Sequence, residues 1–160
     1  MSAQGVKQVR VANERDSWFT LQNVSLALIL LGILVSGYLS YIKFTDEPMV
    51  CAAEAGFNCD VVQNSVYAEV GGVAIAYLGL ATYLVLGALI LLENRLEILR
   101  EYGPLLVFAI TLFAFVYSMY LVYIQAFVLE AFCQWCLIHE LIMTVLVVIV
   151  TLRLRRHLMT

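Results

Sequence analysis

Charge is scarce in this chain: only 13% of its 160 residues are Asp, Glu, Lys or Arg, where a soluble domain carries about a quarter. Proline occurs twice and cysteine four times. No basic tract or stacking motif points to nucleic acid, and no repeat, low-complexity tract or long linker points to an array or a second domain. The net charge of −3 is too small to select a partner. What fills the chain instead is apolar: 63% of residues. Such a composition excludes an ordinary soluble enzyme and reads as an all-α integral membrane protein forming a single membrane domain.

A helix needs roughly 20 mostly apolar residues to cross a ~30 Å hydrocarbon core. Segments of about 21–42, 72–92, 104–128 and 133–152 meet that length. Short links between them predict an up-down-up-down bundle of four transmembrane helices. Gly103-Pro104 reads as the start of the third span, because proline suits a first helical turn. The second span is expected from Gly71-Gly72 onward. Gly32, Ser36 and Ser40 form a small-residue stripe on the first span, suited to close helix approach rather than ligand contact. The mixed-charge residues before Ser17 and the long first apolar run do not resemble a cleaved signal, so that run is read as a retained span with Trp18 and Phe19 near the interface.

Basic residues set the expected orientation. Lys7, Arg10, Arg15, Arg95, Arg100, Arg153, Arg155 and Arg156 share one side, and Lys43 stands on the other. The positive-inside tendency then makes both termini cytoplasmic and the four cysteines extracytoplasmic, in a plasma (inner) membrane for a prokaryote or the endoplasmic reticulum for a eukaryote. Disulfides persist on that side.

The sizeable loop, about 43–70, carries Cys51 and Cys59. Its Pro48–Ala55 portion is expected as a short half-helix capping the bundle mouth, and Gly56-Phe57-Asn58 as a turn returning Cys59. Cys133-Gln134-Trp135-Cys136 opens the fourth span. A zinc site is disfavoured, because the Cys51/Cys59 spacing lies outside the knuckle pattern, and no metal is expected. Structural disulfides are a poorer reading, since a two-residue loop constrains the unfolded chain little. A redox relay fits best. The loop pair is within reach of a soluble thiol, and the helix pair meets a lipid-soluble carrier. Cys136 lies three residues, ~4.5 Å, deeper than Cys133. The outer thiol should exchange with the loop and the inner one with the carrier.

His139 and Glu140 share the helical face of Cys136, and an ionisable residue at that depth marks a functional site by default. Proton delivery to a quinone and mere packing against Tyr117 or Tyr120 account for them equally well. Tyr117, Tyr120 and Tyr123 suit an interfacial belt, with an aromatic wall for a quinone as the alternative.

Together the four spans, Cys51 and Cys59, the Cys133–Cys136 motif and the segment Cys59-Asp60-Val61-Val62-Gln63-Asn64-Ser65 resemble the vitamin K epoxide reductase family over nearly the whole chain after Ser17. DsbB-type quinone reductases also use four spans and four cysteines, but in the reverse order. The resemblance implies that Cys136 contacts the quinone, of ubiquinone or menaquinone (vitamin K) type. It also implies that Cys133 forms a disulfide with Cys59, that Cys51 exchanges with a partner's thiols, and that Ser65 lies near the quinone head group. His139, Glu140 and Tyr120 are the further expected quinone contacts. Because the sequence reads as lacking a fused thioredoxin-like domain, the partner is expected to be a separate extracytoplasmic thioredoxin-fold (DsbA-like) protein. Gly72-Val73-Ala74 replaces a Gly-X-Pro common in prokaryotic relatives, and Glu140 stands where vertebrate enzymes have tyrosine. These departures point away from epoxide reduction. Vitamin K quinone or epoxide reduction remains the rival enzyme reading, and a membrane scaffold or transporter with structural disulfides the non-enzymatic one.

Overall fold

In the computed structural model the backbone is described for residues 3–93 and 95–159, and side chains for residues 20–159 except those of Ala53 and residue 94. The side chains of Lys7, Arg10, Arg15, Trp18 and Phe19, used above for orientation and anchoring, lie outside the described residues. Helix α1 runs Ala3–Thr45, α2 Cys59–Gln63, α3 Ile75–Leu92, α4 Glu97–Phe127 and α5 Gln134–Met159. Four stretches among the described residues are long and apolar enough to cross a membrane: Thr20–Thr45, Ile75–Leu92, Glu97–Phe127 and Gln134–Met159. The protein is an all-α membrane protein.

The four long helices close a bundle in which α1 packs on α3 and α5, and α4 packs on α3 and α5. Leu30, Leu34, Val116, Leu141 and Val148 point outward as a lipid-facing surface, while Ile29, Tyr83, Leu86, Val107, Met143 and Leu146 fill the interior. The small-residue stripe has the packing role expected of it. A side chain at Gly32 would run into the Tyr83 ring, so α1 and α3 meet backbone to ring at that point. Ser36 and Ser40 are buried along the same stripe, and the Ser36 hydroxyl spends its proton on the Gly32 carbonyl at 2.6 Å.

Three boundaries differ from the expectation. Gly71-Gly72 does not begin a span. It forms the two-residue turn of a hairpin, with β1 at Glu69–Val70 antiparallel to β2 at Val73–Ala74. Both glycines have positive φ, 59° and 82°, the requirement of a tight hairpin turn that side chains resist. Helix α3 starts only at Ile75, and its 18 residues span about 27 Å. Secondly, Pro104 does not open α4 but lies inside it. The good helix formers Glu97–Glu101 extend the helix backwards, and Glu97 in the first turn suits the positive end of the helix dipole. Thirdly, the short helix of the loop is α2, after Cys59, while the Pro48–Ala55 portion holds only a three-residue 3-10 turn at Ala53–Ala55. The Asn58 side chain explains the shift, because it accepts the Val61 N–H at 3.4 Å and caps α2.

At the end opposite the cysteines, Arg153 donates from Nη2 to Glu93 Oε2 at 2.7 Å, with both side chains almost wholly buried. Sequence position made Arg153 one of the basic residues that set orientation; tertiary structure makes it also an internal tie between α5 and the end of α3. A Cβ on Gly103 would meet Glu93 at 3.4 Å, so that glycine packs against the ion pair instead of marking a helix start.

Candidate functional site

The loop between α1 and α3 is bound to the start of α5 through backbone groups that flank the cysteines. Asn58 N–H donates to the Phe132 carbonyl at 2.9 Å, one residue before Cys59 and one before Cys133. On the other side, Ala52 N–H donates to Gln134 Oε1 at 3.1 Å, and Trp135 Nε1–H donates to the Val50 carbonyl at 2.9 Å. The two residues between Cys133 and Cys136 thus hold the backbone on either side of Cys51. Tyr38 of α1 supports this grip, with its ring centroid 4.7 Å from that of Trp135.

Cys51 and Cys59 form a disulfide with a Cα–Cα distance of 6.0 Å, whereas Cys133 and Cys136 are thiols. Cys59 and Cys133 are 1% and 0% exposed and share one buried cluster with Val62 and Ala131. Cys51 and Cys136 are each half-buried, and Cys136 lines a cavity. Cys59 and Cys133 thus share the centre of the cluster, Cys51 and Cys136 pack at its margin, and Cys136 also borders the cavity.

Cys133 sits immediately before α5. Its N–H donates to Gln125 Oε1 at 2.9 Å, while its carbonyl accepts Leu137 N–H at 3.1 Å. The thiol is pulled down to about 7, first by the hydrogen bond from Cys136, against the opposing effect of burial. The N–H groups of Cys136 and Trp135 and the Gln63 amide add to the pull. A helix start offers unpaired N–H groups to an anion, which is why a cysteine there ionises readily.

The cavity beside Cys136 has a volume of about 610 Å³, within the range of small-molecule sites. Its wall is mostly apolar, from Leu39, Ile75, Leu78, Val85 and Phe113, with polar points at Gln63, Ser65, Tyr117, His139 and Glu140. Glu140 is 8% exposed, and neither of its carboxyl oxygens has a hydrogen-bond partner. The hydroxyls of Ser118 and Thr144 beside it donate instead to the Phe115 and Glu140 carbonyls, at 3.0 and 2.8 Å. His139 stacks edge-on against Tyr83 at 5.5 Å. An unpaired buried carboxyl is costly, and here it faces a space that a polar-ended ligand can enter.

Of the residues singled out in the sequence, Cys136, Ser65, His139 and Glu140 come together on this cavity. Tyr120 does not. It is half exposed on the outside of α4, 6.3 Å from Tyr117, and Tyr117 occupies the cavity wall in its place. Three-residue spacing turns a helix by 300°, enough to move the next tyrosine off the wall. Sequence reasoning passed over Gln63, Gln125, Gln134 and Trp135. The polar Gln-Trp pair at the head of an otherwise apolar span was the available signal for the last two. Nothing local marks Gln125, whose role depends on a turn at Glu130, where φ is 48°.

The sequence model of the vitamin K epoxide reductase family matches residues 23–151, most of the chain. The chain belongs to that family. Membership implies oxidoreductase activity in a membrane, of the kind that acts on quinones and disulfides.

Proposed function

We propose, from that membership and this geometry, that the protein is a thiol:quinone oxidoreductase that generates disulfide bonds. A reduced thioredoxin-fold (DsbA-like) protein outside the cytoplasm gives up two electrons and two protons to the Cys51–Cys59 disulfide. Cys51, the more exposed of the two residues, takes the partner's thiolate and Cys59 leaves toward Cys133; the partner's second thiol then displaces Cys51, closing the partner's own disulfide and freeing Cys51. With the inner pair oxidised, Cys59 attacks Cys133 and Cys136 is released; Cys51 then attacks Cys59, remaking the loop disulfide and freeing Cys133. A thiol already ionised near pH 7 is a good leaving group in that step. The disulfide at Cys51–Cys59 beside two thiols at Cys133 and Cys136 matches the state after this handover.

A quinone in the cavity accepts two electrons and two protons and becomes a quinol, while the Cys133 and Cys136 thiols lose the same and join. Cys136 presents its sulfur to the cavity, and Cys133 closes the disulfide from behind. Ser65, His139 and Glu140 are placed to orient the head group, with Glu140 or His139 moving a proton at its ring oxygen. The apolar wall accommodates a ring and the start of a lipid tail. The enzyme is proposed to lie in the plasma (inner) membrane, with cytoplasmic termini and extracytoplasmic cysteines.

The observation that carries this reading is the pairing of faces: Cys59 against Cys133, and Cys136 against an apolar cavity. It is tested with purified protein, a reduced thioredoxin-fold partner and ubiquinone or menaquinone. Cys136→Ala should reduce quinone turnover to the uncatalysed level while a Cys59–Cys133 disulfide accumulates. Intact quinone reduction by that variant overturns the assignment.

A further inference from the structure

Helix α2 addresses both inner cysteines. Its first residue, Cys59, is packed with Cys133, and its last, Gln63, donates from Nε2 to Cys136 Sγ at 3.6 Å. Gln63 is itself held. Its carbonyl accepts from Lys43 Nζ at 3.4 Å, and the same ammonium pairs with Glu69 at 3.3 Å. Lys43 lies in the last turn of α1 and Glu69 in the hairpin, so three separate segments converge on the position of one amide.

We propose that Gln63 is a positioning residue that holds negative charge on Cys136, on the cavity side of the dithiol, and that Lys43 fixes Gln63 in place for this. Once one proton has left the pair, the remaining proton sits on either sulfur. Cys133 has the N–H groups of the helix start, as well as the Gln63 amide, to favour its thiolate. Cys136, inside the first turn of α5, has the Gln63 amide reaching it from another element. An amide donates without competing for the proton, and it introduces no charge into an apolar cavity, where a lysine would be costly. The ammonium is kept one residue-length away, on the Gln63 carbonyl, at the polar end of α1.

Other groups that titrate or carry charge around Cys136 are Cys133 just before α5, His139 and Glu140 from α5, Tyr117 from α4 and Tyr67 from the segment before β1. From α1 and α3 the wall contributes Ser36, Gly79 and Thr82, which do not titrate, and Tyr83 reaches the region through His139. Cys133 is replaced alike in every variant below and the other groups in none, so a shift between variants reports on the amide and its support.

This inference rests on Cys136 being the quinone-facing thiol, but its test needs no quinone. The full chain carrying Cys133→Ala keeps the loop disulfide and leaves Cys136 as its free thiol. Alkylation of Cys136 by N-ethylmaleimide is followed against pH. Gln63→Leu should move the midpoint to higher pH and slow the reaction near neutrality about tenfold, the scale of a hydrogen bond to a charged group. Gln63→Glu should move it at least as far, because it replaces the donor with an anion. Lys43→Met should shift the profile in the same direction by less, and Lys43→Arg should restore it. The rate plateau at high pH separates this from simple loss of access, which lowers the plateau and leaves the midpoint alone. A Gln63→Glu midpoint equal to or below that of the parent overturns the proposal, and this isosteric variant decides the matter if Gln63→Leu does not fold. An unmoved midpoint in Lys43→Met overturns the part assigned to Lys43. Loss of quinone reduction in Cys136→Ala with no midpoint shift in Gln63→Glu leaves the enzymatic reading standing and removes this one.

Discussion

The two ends of the helix bundle handle buried polarity in opposite ways. At the end away from the cysteines, Arg153 and Glu93 neutralise each other at 2.7 Å, Gln22 ties α1 to the Ile90 carbonyl, and Gly103 lets α4 close over the pair. Toward the cysteine end, Glu140 and Ser40 bury oxygens that have no hydrogen-bond partner, around or beside a cavity of about 610 Å³. Leaving such groups unmatched costs stability, and proteins tolerate that cost chiefly where the groups serve chemistry. One end therefore reads as the clamp and the other as the working site.

The contrast can be broken from either side. The largest expected effect is at the clamp. Arg153→Met leaves the Glu93 carboxylate buried without its partner and should lower stability by about 3–5 kcal/mol, while Arg153→Met with Glu93→Leu should recover most of it. Thermal unfolding in detergent measures both, and equal stability of the single and double variants would remove the clamp from the comparison. At the site, Glu140→Gln should slow quinone reduction by about a hundredfold and flatten its pH dependence, at little cost in stability, because no hydrogen bond is lost. Unchanged turnover across pH sinks proton delivery by this residue.

Between the ends, Gly32→Ala forces a methyl group into the Tyr83 ring and should cost about 1–3 kcal/mol, relieved when Tyr83 is shortened to Leu. If Gly32→Ala is silent in unfolding, the close approach of α1 and α3 is not a constraint. Trp135→Phe removes the donor to the Val50 carbonyl at the price of about 1 kcal/mol. It should slow exchange with the soluble thiol partner more than quinone reduction by a chemical dithiol. Equal slowing of both would place Trp135 in the inner half of the relay. The smallest effect is spectroscopic. The ultraviolet thiolate signal lost on changing Cys133 to Ser should have a midpoint about 7. The thiolate accumulates as pH rises through that value, and Cys136→Ala, by removing the leading donor, should move the midpoint upward. A Cys133 midpoint at the ordinary thiol value contradicts the proposed ease with which it leaves Cys59.

Much of the fold was legible because lipid imposes a length on apolar runs that needs no knowledge of neighbours. The spans were misplaced only at their polar margins, where a Gly-Gly turn and an internal proline obey local backbone rules instead. The cysteines were legible because reactive chemistry concentrates in one residue type. The supporting amides were not. Gln63, Gln125 and Gln134 are ordinary polar residues until a loop brings each within about 3–4 Å of a thiol or a peptide group. Tyr117 and Tyr120 could not be told apart by spacing, since helix rotation relative to the cavity is set by packing between helices.

By itself, then, the sequence determined that this is a membrane-spanning helical protein with two cysteine pairs, because hydrophobic length and thiol chemistry are local properties. Tertiary structure decided which sulfur meets which, which carboxyl is left open to the cavity and which is neutralised by Arg153. Those outcomes are contacts between residues some sixty to eighty positions apart, as in Arg153–Glu93 and Gln63–Cys136. Distance, direction and burial create them, and none of the three is a property of a single residue.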